Sequence, residues 1–256
     1  MTITIISRTK RGTETGLKLH RHLPGSTLHA PEKFCAGSEA APYSGPVKAV
    51  LLDAFAGSEA LVCIMAAGIV VRSLAPALVS KHSDPAVVVL DEGGEFAISL
   101  LSGHKGGANE LARQVAALLG GTPVLTTASD SQQLPALDLL GRRFGWQLAA
   151  DSDMTGVIAA LVNGEPLGVM QDFGDDSWLP QPLPPHLTRY PTLQALTAAQ
   201  PAAALLITAR PVPDSLRATI PAVAIYHPKD DGDQKKLLNP MSFRAKNERE
   251  ISQTHS

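Results

Sequence analysis

The chain has 256 residues, of which 44% are apolar and 18% charged, and its formal net charge is −2 at pH 7. At roughly 100–200 residues per domain that is one large domain or two small ones, long enough to bury a core without disulfide or metal staples. The charge excludes a general attraction to nucleic acid or to an anionic membrane, so an anionic ligand has to be caught by a local device.

The first seven residues place Ile3, Ile5 and Ile6 in a strand, and residues 9–23, with Gly12 and Gly16, read as a weak helix. Residues 24–46 are rich in Pro, Gly, Ser and Ala, with one short strand near Thr27–His29. Val47, Val50, Leu51, Ala54 and Phe55 recur at i, i+3, i+4, i+7 and i+8, one face of a helix. The apolar run from Ala60 to Ala66 suits a buried strand. Gly68 to Pro76 reads as a loop entering a short helix that Pro76 limits or kinks. Pro85–Leu90 is the clearest strand, Glu92–Gly94 a turn, and Phe96–Leu101 a further strand. Ala108, Leu111, Ala112, Val115, Ala116 and Leu119 share a helical face that Gly120 and Gly121 close, and Pro123–Thr126 is the next strand. From Gly145 the pattern restarts: a helix capped by Asp151 or Ser152 through Val162, a strand at Leu167–Met170, and a polar, Pro-rich connection over 172–191. A helix at Leu193–Ala199 and strands at Ala203–Thr208 and Ala222–Tyr226 follow.

Strands alternating with helices predict an α/β fold: a layered N-terminal domain with a mainly parallel sheet over residues 1–145, then a smaller α/β domain over 146–227. Residues 229–256 hold 11 of the chain's charged residues in 28 positions and lack apolar periodicity, so a charged, disordered tail is expected over 228–256. Cys35 and Cys63 are too few for a disulfide framework and lack CxxC spacing. The chain starts without a basic leader, and its longest apolar run, 61–71, is well short of the ~18 residues that a membrane span needs. Together these predict a cytoplasmic protein with no membrane and no nucleic-acid partner.

Three constellations could carry chemistry. In the stretch from Leu100 to Glu110, Gly103, Gly106 and Gly107 free the backbone to turn sharply, and Ser102, His104, Lys105 and Asn109 supply polar groups. A strand before it and a helix after it would leave first-turn amides pointing outward, which suits a carboxylate or phosphate. The other reading is a tight turn with a solvated His–Lys pair. Neither GxxxxGK[ST] nor GxGxxG spacing is present. The second constellation is Arg72, Lys81, Asp84 and Asp91; Arg72 and Lys81 also read as surface ion pairs, and Asp84 as a turn or cap. If the sheet is parallel, Asp91, the 102–109 loop and Thr126–Thr127 gather on one rim, at the carboxyl ends of the strands. The third is Thr126 to Asp130, where hydroxyls at a strand end either bind a ligand or cap the next helix. No spacing of His, Cys or acidic residues suggests a metal site, and no Cys–His pairing suggests a nucleophile.

Residues 68–76, 81–91, 96–109 and 123–130, in this order, closely resemble the CbiG family of cobalt-precorrin-5A hydrolases, strongly over residues 1–145 and weakly over 146–227. The resemblance implies hydrolysis of a δ-lactone on a cobalt-corrinoid substrate with release of acetaldehyde, giving cobalt-precorrin-5B. The cobalt travels with the substrate, so no cofactor and no protein metal site are expected, and other enzymes of cobalamin biosynthesis are the expected partners. In this setting His104 is the first choice for acid–base work, because its ordinary titration lies near neutrality. Asp91 or Asp84 is the alternative base. Lys105, Asn109 and the loop amides would hold an oxyanion or a carboxylate, and Arg72, Lys81, Ser102, Gly103, Gly106, Gly107, Thr126 and Thr127 would line the substrate. The family usually continues into a Gly-rich, Cys-containing C-terminal domain where this chain changes composition. The expectation is therefore a truncation or frameshift near residue 228, and with it a second reading: a non-catalytic corrinoid-binding protein that needs that domain or a partner.

Overall fold

The computed structural model describes residues 1–229 except His82 and Lys105. It forms two compact units. The first comprises Met1–Leu139, Leu161–Gly164 and Ser177–Pro184; the second comprises Leu140–Ala160, Glu165–Asp176 and the described part of Pro185–Ser256.

In the first unit, β1 (Ile3–Ser7), α1 (Lys10–His22), β2 (Ser26–Pro31), β3 (Ala41–Tyr43), α2 (Val47–Gly57), β4 (Ala60–Ile64), α3 (Ala67–Leu74) and β5 (Ala86–Leu90) follow in order. After them come β6 (Phe96–Leu101), α4 (Ala108–Leu119), β7 (Thr122–Val124) and the single turn α5 (Ala128–Ser131). The sheet order is β3-β2-β1-β4-β5-β6-β7. β1, β4 and β5 are buried at every position, because helices cover both faces and leave no solvated side to alternate with. One face packs Leu19 and Leu23 at the α1 end and Leu111, Ala112 and Val115 of α4 against Ile5, Val62, Ile64 and Val88. The other packs Leu51 and Phe55 of α2 and Val70 and Leu74 of α3 against Ile6, Leu61, Cys63, Val87 and Val89. The unit is thus a three-layer α/β/α sandwich, as the strand–helix alternation predicts.

Three local expectations change. The weak helix is a full 13-residue α1, because Gly12 and Gly16 face the sheet: a Cβ on Gly16 would come within 2.8 Å of Leu28, so the residues that lower helix propensity let α1 lie close. α3 begins at Ala67, before Gly68, and Pro76 sits in a 3-10 turn that ends it. Most consequential, β6 runs antiparallel to β5, and β7 runs parallel to β6. Asp91 builds the reversal: its carboxylate accepts the amides of Gly93 (2.8 Å) and Phe96 (2.7 Å).

The second unit holds α6 (Leu140–Phe144), β8 (Trp146–Leu148), most of α7 (Met154–Asn163), β9 (Leu167–Gln171), β10 (Leu187–Arg189), α8 (Leu193–Ala199), β11 (Ala203–Ile207), α9 (Ser215–Thr219) and β12 (Ala222–Pro228). Its sheet order is β10-β9-β11-β12-β8, parallel except for β8. Met170, Leu196, Leu206, Leu216, Ile220, Val223 and Ile225 form its core. β8 and β10, three residues each, lie at the sheet edges, too short for periodicity to reveal. α7 is capped by Asp153, whose side chain accepts from Gly156 N at 2.9 Å. Asp151 instead pairs with Arg217 at 2.5 Å. Residues 230–256, most of the expected tail, lie outside the described residues. Among the described residues, no helix is long and apolar enough to cross a membrane.

Leu111 is 1% exposed and Leu118, on the same helix, 40%. Leu111→Ala should therefore lower the unfolding free energy by about 2–5 kcal/mol, and Leu118→Ala by less than about 1 kcal/mol, measured by urea titration at pH 7.

Candidate functional site

The reversal at Asp91 decides which residues meet. β6 carries the chain back along β5, so the loop after β6 and the residues after β7 emerge at the end of the sheet where β5 begins. Asp91, at the far end of β5, is six strand residues away, ~20 Å at the rise of a strand. The single rim of Asp91, the 102–109 loop and Thr126–Thr127 does not form, and Asp91 is a turn-building residue, its carboxylate already taken up by two amides.

The 102–107 loop closes on itself. Ser102 adopts a left-handed conformation (φ 57°) and its hydroxyl donates to the Asp84 carbonyl at 2.9 Å. The carbonyls of Ser102 and Gly103 then accept from the amides of Ala108 (3.2 Å) and Asn109 (3.0 Å). Two of the first-turn amides expected to face a ligand are therefore spent inside the loop. The glycines are what let it close: Gly107 is left-handed (φ 89°), and a Cβ on Gly106 would come 2.3 Å from that of Ser102. Lys105 lies outside the described residues.

The closed loop seats Asn109, whose side chain is buried at 4% exposure. Its Oδ1 accepts from the Ser99 hydroxyl of β6 at 2.6 Å, and its Nδ2 donates to Thr127 Oγ1 at 3.1 Å and to Asp130 Oδ2 at 2.6 Å. A buried amide left unpaired would cost about 1–3 kcal/mol; here Ser99, Thr127 and Asp130 pair it and tie β6, α4 and α5 together. Asp130 also accepts from the Thr127 hydroxyl and from Arg113, one turn along α4 from Asn109. Burial works to raise the Asp130 carboxyl, but the hydrogen bonds from Thr127 and Arg113 and the charges of Arg113 and His104 outweigh it and hold the carboxyl below its ordinary value. His104 completes the group: its Nε2 lies 3.0 Å from Ser129 Oγ and 3.7 Å from Asp130 Oδ2, with the side chain 27% exposed. This is not a serine–histidine–aspartate relay. Hydroxyl and carboxylate face the same ring nitrogen, whereas a relay needs them on opposite ones.

Of the remaining candidates, Asp84 holds the Val79 and Ser80 amides at 3.1–3.2 Å, and its carbonyl anchors Ser102. It is thus a brace for the loop. Lys81 is exposed on the same connection and Thr126 is exposed beside Thr127. Arg72 is exposed on α3, its guanidinium donating to Gly68 O at 3.1 Å. Thr127 stands at the start of α5, but its hydroxyl caps no backbone amide there; it serves the Asn109–Asp130 network instead. Ser99 and Arg113 are additions, and Ser129 and Asp130, within the Thr126–Asp130 run, gain specific places in the network. Arg113 stands four residues after Asn109, the spacing of one helical face. Among the described residues no three His, Cys, Asp or Glu side chains cluster to hold a metal ion.

Residues 49–130 match the family model for the cobalamin synthesis G N-terminal region, and residues 135–228 match that for the cobalamin biosynthesis central region. A cobalt-precorrin-5A hydrolase from Priestia megaterium is 40% identical over 231 residues, 88% of this chain and 62% of that protein. Another cobalt-precorrin-5A hydrolase, from Salmonella typhimurium, is 52% identical over 99 residues, 39% of this chain and 28% of that protein. The chain thus spans about three fifths of the length of the first. The crystal structure of a cobalamin biosynthesis protein G homolog from Sulfolobus solfataricus aligns with a TM-score of 0.47 and 17% identity, over 98% of this chain and 69% of that one.

The depressed Asp130 carboxyl makes its contribution to stability pH-dependent. A carboxyl that ionises more readily folded than unfolded stabilises the fold fully above its unfolded value, about 3.9, and loses that stabilisation as pH falls through the folded one. The stability difference between the native chain and Asp130→Asn should therefore be constant near neutrality and shrink below about pH 4, read from urea midpoints across pH.

Proposed function

The chain belongs to the CbiG family over residues 49–228, and on that premise we propose that it hydrolyses cobalt-precorrin-5A, opening the δ-lactone with release of acetaldehyde to give cobalt-precorrin-5B. The observation that carries the reading is the seat of His104: a titratable side chain at a partly exposed position, backed by a buried network within the stretch the N-terminal family model matches.

Lactone opening needs a base to take a proton from water, a donor to the oxygen that gains charge, and an acid to protonate the leaving oxygen. His104 supplies the base and then returns the proton as acid. Water oxygen bonds to the lactone carbonyl carbon, the acyl carbon–oxygen bond breaks, and the proton held by His104 goes to the departing oxygen. The hydroxyl so formed then gives up its proton as the bond between its carbon and the macrocycle breaks; the two-carbon unit leaves as acetaldehyde, and the bonding pair stays on the macrocycle carbon, which takes up that proton. Carboxylate arms of the substrate, ionised at neutral pH, would be met by Lys105, Lys81 and Arg72. The cobalt ion comes with the substrate. A cytoplasmic location and association with other enzymes that handle corrinoid intermediates belong to the same reading.

Incubating the full chain with cobalt-precorrin-5A and following acetaldehyde by mass spectrometry tests it. His104→Ala should reduce release by about 10²–10⁴-fold, and so should His104→Gln, which keeps a polar contact to Ser129 but has no basic nitrogen. Undiminished release from either variant overturns the role of His104. Tight binding of the substrate without release by the native chain would instead make this a corrinoid-binding protein.

A further inference from the structure

The position of His104 carries more than its identity does. Only one of its two ring nitrogens is engaged: Nε2, with Ser129 Oγ at 3.0 Å and Asp130 Oδ2 at 3.7 Å. Nδ1 has no partner among the described residues. We propose that Ser129 and Asp130 are positioning residues that hold the imidazole with Nε2 protonated and turned inward, leaving Nδ1 as the nitrogen that takes the proton from water. The proposal rests on the reading of His104 as acid–base residue and adds which nitrogen reacts and what sets it.

The argument is one of lone pairs. A neutral imidazole has one N–H and one bare nitrogen, and the hydrogen bond at one selects the role of the other. If Nε2 were bare, its lone pair would face the Asp130 carboxylate, a repulsion across 3.7 Å in a half-buried setting. With Nε2 protonated, the N–H donates to the Ser129 hydroxyl and its positive end faces Asp130. Ser129 is 8% exposed and sits on the single turn of α5, which Asp130 ties to Asn109 and Arg113 of α4. The facing group is therefore rigid. Among the described residues, Asp130 of α5 is the charged group that faces the ring, and it is paired with Arg113 of α4, which also pairs with Glu110 at 3.6 Å. In catalysis, Nδ1 gains the proton from water as the new carbon–oxygen bond forms, the resulting imidazolium is balanced by Asp130, and the proton leaves Nδ1 for the departing oxygen.

The test needs no substrate. Long-range proton–nitrogen NMR spectra of the nitrogen-15-labelled full chain at alkaline pH report which ring nitrogen carries the proton, and the signals lost in His104→Gln identify those of His104. The expected result is a ring protonated only at Nε2, moving towards the mixture of tautomers of free imidazole in Ser129→Ala and in Asp130→Asn. Ser129→Ala, which removes a single hydroxyl, remains decisive if Asp130→Asn fails to fold. Where turnover is measured, Ser129→Ala should lower kcat by about tenfold, the loss of one hydrogen bond, with KM unchanged. A native ring protonated at Nδ1, or tautomers unchanged in Ser129→Ala, overturns the proposal. Loss of acetaldehyde release in His104→Ala together with either result would leave the acid–base role standing and remove only this one. The expected tautomers with full release in His104→Ala would keep the orienting role of Ser129 and Asp130 but remove the acid–base role, and with it proton transfer at Nδ1.

Discussion

Asp91 turns the chain around, and the arrangement at the other end of the sheet follows from that turn. Its two carboxylate oxygens hold the Gly93 and Phe96 amides, so the strand after it pairs antiparallel with β5. A strand that returns beside its predecessor delivers its carboxyl end where its neighbour begins. The loop after β6, the 78–85 connection before β5 and the residues after β7 therefore converge. Had β6 entered parallel, Ser102 and Asp84 would lie at opposite ends of the sheet, and the hydrogen bond between them could not form.

At that end the organising group is a side-chain amide. Asn109 has a donor for each of two neighbours and an acceptor for a third, and it finds all three in Thr127, Asp130 and Ser99. A buried polar network is useful only when its members are satisfied, and here each bond also fixes a different segment of chain. Asp130 gathers the result: it receives Asn109, Thr127 and Arg113 and stands beside His104. The glycines serve the same end differently. They let the loop spend its own carbonyls on the Ala108 and Asn109 amides, which takes both from any anion cradle but gives Asn109 a closed seat.

Much of this was legible in the residues and some was not, for physical reasons. Helix faces such as 108–119 and 47–55 and buried strands such as 60–64 and 86–90 carry strong periodic or compositional signals, and they stand within a residue or two of where those signals place them. Strand direction carries no such signal: an apolar five-residue run reads alike in parallel and antiparallel pairing, so the rim that included Asp91 could not be tested by pattern. The three-residue edge strands β3, β8 and β10 span only a period and a half, too little for alternation to mark them; β7, of the same length, showed through its place after the α4 face. His104 and Asn109 were visible because their residue types stand out beside glycines, and Thr127 because hydroxyls follow the end of an expected strand. Ser129 and Asp130 lay in the Thr126–Asp130 run, but only the fold shows that they face His104 and not the solvent.

The thiols of the first unit offer a record of its motions. Cys63 lies in β4, the middle strand of seven, fully buried, with burial pushing its thiol up to about 12. Cys35 lies at the end of the 3-10 turn after β2, half-buried, its thiol also raised. An alkylating reagent attacks thiolate, and only where it can reach. Cys35 becomes available when a surface turn frays, whereas Cys63 does so only when helices leave the face of the central strands. The two alkylation rates on one molecule therefore separate local opening from the opening of the sheet itself, an internal clock with two hands that requires no introduced label.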